Sequence, residues 1–185
     1  MSTGIVLAIV IAAVVVVALV AVAAVNHRRR ARLRDRFGPE YDRAVEETGS
    51  RRAAEQDLGA RERRYQELDI KPLSSGTREQ YAQRWKELQE EFVDAPEGAV
   101  HEADRLVTAL MHERGYPTEE YEQRMRDLSV RHGRTLEHYR AAQEVHALSS
   151  SRSATTEQLR EAMVHYRALF DDLLTDGEPT GSRRS

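Results

Sequence analysis

The sequence predicts an all-α protein: one N-terminal transmembrane helix, a solvated helical arm and a small helical bundle. Three observations carry that prediction. Residues 1–25 hold no charged side chain, while the other 160 carry all 28 basic and 31 acidic residues. Beyond residue 76 the apolar residues recur at helical spacing behind capping residues. No segment after residue 36 alternates apolar and polar over the length of a strand, so strands are not needed.

Gly4 to Val25 is a run of Val, Ala, Ile, Leu and one Gly. As a helix rising ~1.5 Å per residue it spans ~33 Å, enough for a hydrocarbon core of ~30 Å. A cleaved leader is the competing reading. Ala21-Val22-Ala23 suits a small-x-small cleavage site, but no positive charge precedes the run, which also exceeds the ~7–15 apolar residues of a leader. Gly4, Ala8 and Ala12 recur every four residues, which is read as the abundance of Ala here rather than a packing seam.

Residues 26–36 form a juxtamembrane collar of six Arg and one Asp, net +5, whereas everything after it is acidic. The positive-inside rule places this collar and the bulk of the chain in the cytoplasm, with the N-terminus outside a bacterial inner membrane. Arg28, Arg29, Arg30, Arg32, Arg34 and Arg36 are expected to meet anionic lipid headgroups, and residues 4–25 the bilayer itself. A nucleic-acid patch is disfavoured, because no aromatic residues interleave the arginines to stack bases.

Phe37-Gly38-Pro39 breaks the helix that leaves the membrane, and Pro39 with Glu40 and Asp42 suits a new helix start. Residues 37–70 have few apolar residues and read as the solvated arm; 71–76, Lys-Pro-Leu-Ser-Ser-Gly, read as a linker. The bundle is expected over 77–174. Thr77 with Gln80 would cap a helix bearing Tyr81, Trp85, Leu88 and Phe92, its aromatic stripe read as core rather than an exposed partner-binding face. Asp94 with Glu97 would cap the stripe Val100, Ala103, Leu106, Val107, Leu110 and Met111, stopped by Gly115 and Pro117. Thr118 would start a short helix with Tyr121, Met125 and Leu128, and Ser129–Gly133 would be a tight turn with Ser129 capping. Leu136, Tyr139, Gln143, His146 and Ala147 follow, then a polar loop from Ser149 to Ser153. Thr155 with Gln158 would cap the last helix, with Leu159, Ala162, Met163, Tyr166, Phe170 and Leu173 inward, and 175–185 read as a disordered tail.

Cysteine is absent, which excludes disulfides, zinc–thiolate sites and thiol nucleophiles. The seven histidines, at 27, 101, 112, 132, 138, 146 and 165, include no i,i+4 pair and no Glu three residues before a His in the soluble part. Metalloprotease and di-iron patterns are therefore missing. No glycine-rich phosphate loop and no hydrolase elbow is present. The carboxylates, interspersed with Arg, read as solvated helix faces. No catalytic residue, cofactor or metal ligand is expected. The function expected is a non-enzymatic interaction or scaffold protein with an unknown protein partner. The alternatives are an exported helical protein, and a bundle enzyme or ligand carrier.

Residues 36–43 (RFGPEYDR), 67–73 (ELDIKPL), 92–96 (FVDAP), 114–117 (RGYP) and the closing Ala162-Met163 with Tyr166-Arg167-Ala168-Leu169-Phe170 together resemble a family of uncharacterised bacterial proteins with one N-terminal membrane span. The resemblance covers most of residues 36–174. The family pattern would have an acidic residue and a proline where this chain has Arg131 and Gly133. It implies the same architecture, and no activity, cofactor or partner.

Overall fold

The computed structural model describes residues 3–150 and 153–175. All regular structure among them is helical: α1 Thr3–Phe37, α2 Pro39–Thr48, α3 Arg51–Glu67, α4 Ser75–Glu91, α5 Pro96–Glu113, α6 Tyr121–His132, α7 Leu136–Ser150 and α8 Thr156–Thr175. Of the tail expected over 175–185, Thr175 instead ends α8 and the rest lies outside the described residues; of the loop expected over 149–153, Ser149 and Ser150 instead belong to α7 and positions 151 and 152 lie outside the described residues.

α1 contains one stretch long and apolar enough to cross a membrane, and its most apolar window is not buried within the fold. The helix does not stop where the apolar run ends. It continues through the collar to Phe37, where Gly38 adopts a positive φ of 55° and Pro39 opens α2.

The main core lies where α4, α5, α6, α7 and α8 meet. Trp85, Leu88, Val107, Leu110, Leu128, Tyr139, Tyr166 and Phe170 are all buried there. Trp85 stacks on Phe170 at 4.6 Å between centroids, so the ring belongs to the core as the stripe predicts, while Tyr81 and Phe92 are half-buried beside it. Tyr121, expected inside, is exposed.

Residues 37–70 do not form a solvated arm. Leu33 and Phe37 of α1, Tyr41 and Ala44 of α2, and Ala54 and Leu58 of α3 form a second core, closed by Val130 of α6. Each helix contributes an apolar pair three or four residues apart, which marks one face. A single such pair is too short to register as a stripe, yet three of them meeting around Val130 exclude water. The expected linker is also docked: Leu73 is buried and the Lys71 N–H donates to the Arg114 carbonyl at 2.9 Å.

Several helix ends differ from expectation. Ser74, not Thr77, caps α4, accepting from the Thr77 N–H at 3.0 Å. α5 begins at Pro96 without a side-chain cap, because proline at the first position removes an unpaired donor. α6 starts at Tyr121 rather than Thr118, and it runs on through Ser129 to His132 instead of turning. The Ser129 hydroxyl bonds back to the Arg126 carbonyl within the helix. Burial of Ser129, Val130 and His132 holds this last stretch helical. Gly133 follows because a Cβ there would stand 2.4 Å from the Phe37 carbonyl oxygen, so the ends of α1 and α6 can touch only at a glycine. The Thr155–Gln158 capping box is formed as expected, Gln158 Oε1 accepting from the Thr155 N–H at 2.8 Å.

Candidate functional site

Four of the six collar arginines turn toward carboxylates of the arm. Arg30 donates to Glu55 at 3.1 Å, Arg34 to Asp42 at 3.2 Å, and Arg32 and Arg36 both to Glu62, at 2.5 and 2.6 Å. Glu55 also accepts from the Tyr41 hydroxyl at 3.0 Å, which ties the collar to the second core. Burial, then the neighbouring Glu55, pushes the Tyr41 phenol above its usual range. The pair that solvent reaches on both sides, Arg34 with Asp42, is weak and yields to competing anions. The remaining two, Arg28 and Arg29, help line a cavity of about 380 Å³ with Arg32, Glu62 and Arg63.

A polar chain, buried at Tyr116 and His132 and reached by solvent at its ends, runs between α3 and α8. Tyr65 of α3 and Tyr116 bring their hydroxyls to 3.4 Å, and Tyr116 Oη lies 3.1 Å from His132 Nε2. His132 Nδ1 lies 2.9 Å from Asp172 of α8, whose same oxygen accepts from Thr135 at 2.8 Å. An imidazole between a carboxylate and a hydroxyl resembles general-base geometry, but here both ring nitrogens are occupied by protein groups and the ring is fully buried. The chain joins α3, α6 and α8.

A bidentate ion pair joins α2 to α7: Arg140 donates to the two oxygens of Glu40 at 2.5 and 2.8 Å, and Glu40 is 2% exposed. The Glu40 carboxylate holds the Arg140 guanidinium above its usual range. Asp104 accepts from Gln143 and from the Tyr166 hydroxyl, linking α5, α7 and α8. Burial first, and Asp104 second, pushes the Tyr166 phenol far up, so it stays protonated and donates.

Sequence spacing left the histidines scattered, whereas the fold gathers four of them into pairs. His138 and His165 bring their Nδ1 atoms to 2.9 Å across α7 and α8, and the rings of His101 and His146 lie 4.5 Å apart. No group of three or more His, Cys, Asp or Glu able to hold a metal ion occurs among the described residues. None of these pairings had a local signal, because the partners are 27 to 45 residues apart. Arg63 at the collar cavity was equally invisible, being one of many arginines on a polar helix.

No family model, curated protein or solved structure matches the chain.

Proposed function

We propose that this protein is a single-pass, membrane-anchored helical scaffold whose body lies in the cytoplasm of a bacterium and holds a protein partner without catalysis. The observation that carries the reading is the continuity of α1. One helix passes from the apolar run through the collar and buries Leu33 and Phe37 in the second core. Such a helix holds the body against the bilayer surface, where a flexible tether would let it wander. The collar supports the orientation by the positive-inside rule, and kinship with the single-span family belongs to the same reading. Reporters fused after residue 174 test the side on which the body resides. A purified soluble fragment that turned over a metabolite would defeat the non-catalytic half of the proposal.

A further inference from the structure

We infer that the cavity between α1 and α3 is a phosphate site, built from Arg28 and Arg29 of the collar and Arg63 of the arm, that seats one headgroup of an anionic phospholipid. The inference rests on the membrane-anchored reading and adds a defined site to it.

The local geometry starts at Gly59. α3 presents this buried glycine to α1, and a Cβ placed there would lie 3.4 Å from Arg29 Nη2 and 3.8 Å from Arg63 Nη1. The two guanidinium groups thus converge on one point that carries no side chain. Among the described residues neither they nor Arg28 has a carboxylate partner. Glu62, the one acidic residue lining the cavity, is already shared by Arg32 and Arg36. Like charges held this close repel each other, and a phosphate bridging them turns that repulsion into attraction with charge-assisted hydrogen bonds.

The depth of the site decides the source of the phosphate. The apolar run ends at Val25. At ~1.5 Å per residue, Arg28 and Arg29 lie ~5–6 Å beyond it along the helix, within the polar layer ~5–7 Å thick that flanks the hydrocarbon core. An anionic headgroup is concentrated there by the bilayer itself. Arg63 distinguishes this arrangement from a diffuse collar: it is 38 residues beyond Val25 in sequence, and only the fold brings it to the cavity.

Native mass spectrometry of the full-length protein released from detergent, with phosphatidylglycerol or phosphatidylcholine added, tests the site. The wild type should retain one phosphatidylglycerol in preference to phosphatidylcholine. Arg63→Gln should lower that retention by ~5-fold, the equivalent of about 1 kcal/mol per cation at a membrane surface. Arg105→Gln, an exposed arginine of α5, should leave it unchanged. Arg63→Gln binding as the wild type does, or no preference between the two lipids, would overturn the site. Displacement of the lipid by an equal concentration of inorganic phosphate would overturn the lipid source. Failure of the underlying reading looks different, because the chain would then leave membranes in alkaline carbonate without detergent.

Discussion

Single side chains make this fold specific. Trp85 is 2% exposed and stacked on Phe170, with the Arg167 guanidinium 5.9 Å from its ring centre. Replacing it with alanine removes most of a large buried surface and leaves a cavity. Trp85→Ala should therefore lower stability by ~3–5 kcal/mol, read from urea unfolding by circular dichroism. A loss below ~0.5 kcal/mol would return the ring to the surface. His165 gives a second prediction. Burial, then the charge of His138, pushes its pKa below the usual 6.5, while Glu161 opposes the shift. With the folded pKa depressed, the unfolded chain binds more protons, so stability is fully present above ~6.5 and is lost as pH falls through the folded value. The urea midpoint should drop between pH 7.5 and 5.5, and His165→Gln should flatten that drop; an unchanged slope would exclude the residue. The buried role of Trp85 was readable from its place on a capped stripe. The roles of His132 and His165 were not, because each depends on partners brought together only by tertiary packing.

At the scale of elements, what the sequence revealed depended on stripe length. α5 and α8 bury long apolar stripes and were foreseeable as core helices, and the Thr155–Gln158 box marked a true start. α2 and α3 bury only three residues each, and their paired charges look like solvent-facing residues until the Arg140–Glu40 and Arg64–Asp127 contacts are formed. The arm therefore contributes to stability. A fragment of residues 77–174 should fold cooperatively on the main core, but with Val130 exposed and Asp127 deprived of Arg64. A fragment of residues 27–174 should be more stable by roughly 2 kcal/mol or more, the value of burying one aliphatic side chain and restoring one partly buried pair. Equal urea midpoints would mean that the second core contributes nothing.

For the whole molecule, the sequence already showed an apolar helix, a basic collar and an all-helical body. The direct fusion of the three was hidden, because the helix break at Phe37-Gly38-Pro39 is followed by a stretch so poor in apolar residues that it reads as solvated. In the structure the break falls inside the second core, with Phe37 fully buried and the Phe37 carbonyl against Gly133. On the membrane-anchored reading proposed above, this fusion would hold the body at a fixed place beside the membrane, and the side it occupies would determine which partners it meets. Six arginines within the first eleven residues after the apolar run oppose translocation, by rule of topology and by ~2.3 kcal/mol per charge per 100 mV of membrane potential. The acidic body does not offset them, since Asp and Glu weigh little in topology. The most direct measurement is a pair of reporters fused after residue 174 of the full-length chain. A phosphatase active only outside the cytoplasm should stay silent, and a fluorescent protein that matures only in the cytoplasm should light up. An active phosphatase and a dark fluorescent protein would place the body outside and contradict the account.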